Sequence, residues 1–345
     1  MDLSIAGILL LDGVTNGAVY ALLAMATVLL FAVTRVIFIP QGEFVAFAAL
    51  TVGMFQAGLV PGTVWLLLAM ALAVAVLDAI EQVRRGRAAA RIARHVLLVL
   101  ALPVAACAFS WWIAPSKPPL PVAALLTLLL VTPMGPFIYR LGYRSLADAS
   151  VLVLLIVSVG VHFALTGLGL LFFGAEGFRT PPFWDARFAL GPLIFSGQTL
   201  IIFCASAALI VLLWLFFERT LLGKALRATA VNRLGARLMG ISTTAAGALS
   251  FTMAAFIGAL SGLLIGPTTT VFYDSGFLIG LKGFVAAVFA GLASYPAAAI
   301  GALGVGILES FGSFWASAFK EVIVFTAILP VLLWRSLRDH QADEE

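Results

Sequence analysis

Residues 151–173 read VLVLLIVSVGVHFALTGLGLLFF. Apolar and polar residues do not alternate along this run, so it is not a strand of a membrane barrel, where the period is two. As a helix rising 1.5 Å per residue it covers about 35 Å, enough to cross roughly 30 Å of hydrocarbon. A helix also satisfies its own backbone there, where no water can. The stretch predicts a spanning helix, and comparable runs follow one another along the chain.

The composition fits. Of 345 residues, 63% are hydrophobic and 10% charged, and the mean hydropathy of +1.13 excludes an ordinary soluble domain. Apolar length and the Gly, Pro and charged breaks place spans at about 4–33, 43–59, 62–80, 95–114, 120–139, 149–173, 193–217, 245–266, 277–294, 296–313 and 319–335. The expected architecture is an all-α polytopic bundle of about eleven spans forming one transmembrane domain over 1–345. Cys107 and Cys204 both lie in apolar runs, which suggests packing or lipid-facing roles rather than a disulfide or metal site. The N-terminal MDLSIAGILLLDGV lacks a basic region and a small-residue cleavage site, so the first run is expected to stay as an uncleaved helix.

Lys and Arg in short loops stay on the cytoplasmic side. With the N-terminus outside, the inner loops collect Arg35, then Arg84, Arg85, Arg87, Arg91 and Arg94, then Arg140 and Arg144, then Arg219, Lys224, Arg227, Arg233 and Arg237, and finally Arg335 and Arg338. That is fifteen of the 20 basic residues; the outer loops keep Lys117, Arg179, Arg187 and Lys320. The bias predicts an N-terminus out and a C-terminus in. It leaves 174–192 and 218–244 as loops too short to be soluble domains. No Walker A loop, nucleotide-binding Gly-rich turn or zinc motif is spelled anywhere, so ATP, if used, must be handled by another chain.

Small residues recur every four positions at Ser250, Ala254, Gly258, Gly262 and Gly266, at Ala298, Ala302, Gly306 and Ser310, and at Gly13, Gly17 and Ala21. Such stripes let helix backbones approach closely in lipid, or they line a path. Polar groups within or beside spans are costly and attract functional hypotheses: Thr15, Asn16, Gln41, Glu43 and Lys282 are the candidates for a substrate path. Each has a plainer alternative. Asn16 can bond a neighbouring helix, Glu43 can cap a helix N-terminus, and Lys282 and Glu309 can snorkel toward water. His162 reads as a buried, satisfied histidine. His95, His162 and His340 fall in separate places and assemble no catalytic cluster, so no catalytic residue, metal or cofactor is expected.

Residues 218–242, ERTLLGKALRATAVNRLGARLMGIS, are the most charged internal stretch. They predict two short helices, with Asn232 as N-cap of the second and Gly240 closing it. Leu226, Ala230, Leu234 and Leu238 form a four-residue repeat. The segment is either an interfacial basic helix on anionic lipid heads or a docking surface for a soluble partner.

GKALRATAVNRLGARLMGI resembles the cytoplasmic coupling segment of branched-chain amino acid ABC transporter permeases of the LivH type. The family pattern is G-[KR]-A-[LM]-R-A-x-x-x-[ND]-x-x-A-[AM]-x-L-x-G-I, with Gly235 standing where alanine is usual. GLKGFVAAVFAGLASYPAAAIGALGVGILES, 280–310, is similar to the family's G-L-K-A-F block, and NGAVYALLAMATVLLFAVTRVIFIPQGEF to its first helix and following turn. In that turn Phe38, Gly42 and Glu43 match the family's Asn-Phe-Ala-His-Gly-Glu and the rest differ. The likeness covers about 5–75 and 133–338; residues 80–132 look like an insertion carrying two additional spans.

The resemblance implies the permease of an ATP-driven importer in a bacterial inner membrane. It further implies two ABC ATPase subunits that grip Gly223, Lys224, Arg227, Arg233, Arg237, Leu238 and Gly240, a second permease chain, and an extracytoplasmic substrate-binding protein, with no nucleic acid involved. A secondary carrier or channel is the alternative class; it would need ionisable residues near mid-membrane. A membrane enzyme would need a nucleophile with its base.

Overall fold

A computed structural model of the chain describes residues 3–190, 193–292 and 294–333. The helices run α1 (Leu3–Thr34), α2 (Gln41–Ala57), α3 (Gly62–Arg84), α4 (Ala89–Ile113), α5 (Leu120–Val131), α6 (Met134–Ile138) and α7 (Val151–Phe173). A hairpin of β1 (Arg187–Leu190) and β2 (Leu193–Ser196) follows, then α8 (Gly197–Arg219), α9 (Leu221–Val231), α10 (Arg233–Leu238), α11 (Thr243–Ile265), α12 (Ser275–Phe289), α13 (Tyr295–Trp315) and α14 (Lys320–Thr326). Among the described residues, eight helical stretches are long and apolar enough to cross a membrane. Four of their starts are chemically marked: Ser150, Ser196, Ser242 and Ser294 each accept a hydrogen bond from the backbone N–H three residues on, satisfying a donor that a helix leaves free.

Several boundaries differ from the sequence expectation: the span expected from 95 begins at Ala89, and the one expected to reach 294 ends at Phe289. The span expected from 193 begins at Gly197, because 193–196 pair as β2 with β1, Phe188 stacking on Phe195 at 5.7 Å. The span expected at 319–335 breaks at Ala327 and is helical again over 328–333; residues 334 and 335, with Arg338, lie outside the described residues.

The glycine stripes are packing surfaces. A Cβ on Gly306 would lie 2.2 Å from the Gly13 carbonyl oxygen, and one on Gly17 would lie 2.8 Å from Leu303 Cα, so α1 and α13 touch backbone to backbone. The α11 stripe receives α2: a Cβ on Gly262 would lie 2.3 Å from the Val45 carbonyl oxygen. Every residue of α2 from Gln41 to Phe55 is buried.

Helices α2 and α12 are short, at 17 and 15 residues, and their N-termini meet deep in the bundle. The Gln41 amide donates to the carbonyl of Ala254, the middle residue of α11, at 3.0 Å. Glu43 pairs with His162, the middle residue of α7. The Phe277 ring lies against that same His162, tilted, with centroids 4.8 Å apart. A Cβ on Gly42 would sit 1.8 Å from the Gly276 carbonyl oxygen. The chain therefore reaches half depth through 35–40 before α2 starts, and through 266–274 before α12 starts.

Candidate functional site

An open-mouthed cavity of about 780 Å³ lies where one end of the bundle is assembled from the N-terminal parts of α1, α8, α12 and α14 and the C-terminal parts of α11 and α13. Thr15, Asn16 and Lys282 line it together. Thr15 is tied to its own helix, donating to the Leu11 carbonyl at 2.7 Å. Asn16 is half-buried and makes no hydrogen bond among the described residues, so its carboxamide is free for a ligand.

Lys282 does not snorkel. It is buried on α12, with its ammonium 2.5 Å from Glu309 Oε1 on α13 and 3.1 Å from Glu321 Oε1 on α14. Glu309 does not snorkel either: its Oε2 accepts from the Tyr20 hydroxyl of α1 at 2.6 Å. Four helices thus meet on one buried ionic cluster, because a charge withdrawn from water needs an opposite charge and donors around it. Tyr20 and Glu321 are the residues that sequence reasoning did not name, and Glu309 was read there as a snorkelling side chain. The signal was present for Glu309, a carboxylate inside an apolar run, but its partner stands 27 positions away.

Gln41 and Glu43 are held apart from this cavity. Both are buried at the α2 N-terminus. Glu43 does not act as a side-chain cap; it crosses to α7, and His162 Nδ1 lies 2.9 Å from Glu43 Oε1. The meeting of two helix N-termini favours a carboxylate at that point. His162 is buried and satisfied as expected.

At the opposite end, α9 and α10 stand beyond the apolar spans. Thr220 Oγ1 caps α9 by accepting from Gly223 N at 3.0 Å, and Asn232 Oδ1 caps α10 by accepting from Gly235 N at 2.8 Å. Gly223 is demanded by the turn from α8, since a Cβ there would lie 2.2 Å from the Phe216 carbonyl oxygen. Gly240, at φ 82°, ends α10 as Ile241 N bonds back to Ala236 O at 2.9 Å. The four-residue leucine repeat does not survive as one stripe. Leu226 is buried against α1 and α8, whereas Leu234 and Leu238 face outward on α10, because Asn232 breaks the helix and re-aims it.

The charges divide likewise. Arg233 donates to the Ala147 carbonyl at 2.7 Å, and Arg237 to Thr243 Oγ1 and Asp148 at 3.0 Å each, pinning α10 to the entrances of α7 and α11. Arg227 pairs with Glu218 at 2.7 Å on the surface, and Lys224 is exposed. Leu221, Leu222, Val231, Leu234, Leu238 and Met239 add an apolar patch around these cations.

A polytopic helical bundle with a polar cavity at one end and a capped, basic helical pair at the other has the form of a membrane transport subunit. Residues 91–333 match the family model described as the branched-chain amino acid transport system permease component. The chain is similar to the high-affinity branched-chain amino acid transport system permease protein BraD of Pseudomonas aeruginosa, 31% identical over 228 residues, which is 64% of this chain and 74% of BraD. It is 29% identical to LivH of Escherichia coli K12 over 213 residues, 60% of this chain and 69% of LivH. Among solved structures, PsaBC from Streptococcus pneumoniae in complex with Fab aligns with a TM-score of 0.38 at 13% identity over 93% of this chain and 88% of that one. The chain belongs to the branched-chain amino acid transport system permease family, whose members are multi-pass proteins of the bacterial inner membrane.

Proposed function

We propose that the chain is the transmembrane subunit of an ATP-driven importer for branched-chain amino acids or similarly small polar solutes. It works with two ABC ATPase subunits, a second permease chain and an extracytoplasmic binding protein. The observation that carries this is the α9–α10 pair: a rigid, doubly capped element in a permease-family chain, with cations and apolar side chains outward and arginines tying it to the start of α7 and α11. ATP-driven closure of an ATPase dimer would press on that element, and α8 and α11 would carry the displacement toward the cavity. Exposed ion pairs contribute little individually, so shape transmits the push while charge aids docking.

The topology that goes with this has the N-terminus outside, the cavity facing the extracytoplasmic side and the C-terminus inside. The eleven crossings include two, through α2 and α12, that are part extended chain and part helix. Within residues 80–132, α4 lies at the bundle's edge, packing on α3 and α5 and turning Leu97, Leu98, Leu102 and Trp112 outward, while α5 packs on α2 and α11. The permease assignment is tested by co-reconstituting the complex in vesicles and replacing Arg227 and Leu238 together. ATP-dependent uptake should be lost while membrane insertion is retained, and wild-type uptake with wild-type ATPase stimulation would refute it.

One observation favours the secondary-carrier alternative. Glu43 and His162 form an ionisable pair at half depth, as a proton-coupled carrier would need. Proton-dependent uptake by the chain reconstituted alone would establish that reading.

A further inference from the structure

The cavity's buried ionic cluster is uneven in charge. Both oxygens of Glu309 are engaged, Oε1 by the Lys282 ammonium and Oε2 by the Tyr20 hydroxyl. Glu321 shares the same ammonium through Oε1, whereas its Oε2 is buried with no donor among the described residues. One ammonium thus serves two carboxylates. Asp12 and Lys320, the other charged residues of the lining, offset one another in sign and leave one negative charge in excess. Asn16 is on the same lining with its carboxamide unengaged, and Leu9, Leu278, Ile279 and Phe314 supply apolar wall.

We propose that Glu321, together with Asn16, is where this cavity selects its cargo: it takes a small solute by a nitrogen that carries N–H, an ammonium or an amide, and rejects the isostere presenting a carboxylate there. This rests on the permease function proposed above and adds the chemical group by which the cargo is read. The Glu321 side chain, 29% exposed on the lining, has only a shared ammonium against its charge. A cationic or N–H-bearing group offsets the excess negative charge there, whereas a carboxylate adds to it, and a site built to hydrogen-bond rejects such an analogue far more sharply than an apolar pocket can. Lys282 is a positioning residue. Its charge is already engaged by two carboxylates, so it holds Glu321 in place instead of attracting an anion.

The test uses the assembled permease–ATPase complex in lipid nanodiscs, without the binding protein, so that the cavity's own preference is measured. Three probes share one branched skeleton: 3-methylbutylammonium, 3-methylbutanamide and 3-methylbutanoate. Saturation-transfer NMR titrations should show the first two binding at least about tenfold more tightly than the third. Glu321→Gln should weaken 3-methylbutylammonium about tenfold, and Glu321→Asp should restore part of that loss. Asn16→Leu, which leaves the ionic cluster intact, should weaken 3-methylbutanamide by a similar factor and covers the case of a Glu321 variant that fails to assemble. Equal binding of the carboxylate and ammonium probes to the wild-type complex, or unchanged ammonium affinity in a folded Glu321→Gln complex, would overturn the assignment. ATP-driven leucine uptake by the complete system is scored separately. Its absence alongside an intact ammonium preference would count against the importer function and leave the cavity's selectivity standing.

Discussion

Gly42 and Gly304 lack the same methyl group with opposite consequences. A Cβ at Gly42 would meet the Gly276 carbonyl oxygen at 1.8 Å, while one at Gly304 would find nothing within 4 Å. Gly42→Ala should therefore destabilise the protein by at least about 3 kcal/mol, the upper range for overpacking a core. Gly304→Ala should change stability by less than about 1 kcal/mol. Thermal unfolding of both variants in one detergent measures the contrast. Glu43 and His162 give a second residue-scale prediction. His162→Leu strands a fully buried carboxylate and should cost about 3–5 kcal/mol, whereas Glu43→Leu with His162→Leu should recover most of that loss. Equal stability of the single and double variants would show that the pair is not coupled. Neither contact was legible in the chain, because Glu43 and His162 are 119 positions apart and Tyr20 and Glu309 are 289 apart. A polar residue in an apolar run says that a partner exists without saying which.

At the scale of elements, the α9–α10 pair was the most legible part of the molecule. Asn232 and Gly240 are local signals, and local chemistry sets where α9 and α10 start and stop. The face each helix turns outward was not legible, since a break between helices cancels any periodicity running through it. That face sets the prediction. Leu238 is 80% exposed, so Leu234→Ser with Leu238→Ser should leave the unfolding midpoint within about 0.5 kcal/mol of wild type. ATPase stimulation in the reconstituted complex should fall several-fold, and a variant that loses stability and keeps stimulation would contradict this. The half-depth starts of α2 and α12 were the least legible elements. Glu43 and Lys282 apart, both helices lie in apolar runs, so hydropathy marks them as spans and says nothing about the depth at which they begin.

For the whole molecule, the positive-inside bias orders the two ends, and those ends differ in the structure as well. Lining residues of the cavity come from one end, whereas α9, α10 and the Arg140 side chain, which bonds Asp78 at 2.6 Å, belong to the other. In a Cys204→Ser background, Leu59→Cys should react with an impermeant maleimide on intact cells, and Leu221→Cys only after permeabilisation. Labelling of both from one side would invert or fold back the proposed topology. The helical, membrane-spanning class followed from apolar length, with eight described helices long enough to cross where about eleven spans were expected; their assembly did not, because it depends on which glycine faces which.

Those glycine junctions bear on how the sequence can change with time. Where Gly13 meets Gly306 and Gly42 meets Gly276, main chain lies against main chain, so there is no side chain on either partner to compensate for a substitution on the other. Paired drift is closed to such positions. Divergence between relatives should concentrate on surfaces such as the outward face of α4, while the two junctions keep their residues even as the solute carried through the membrane differs.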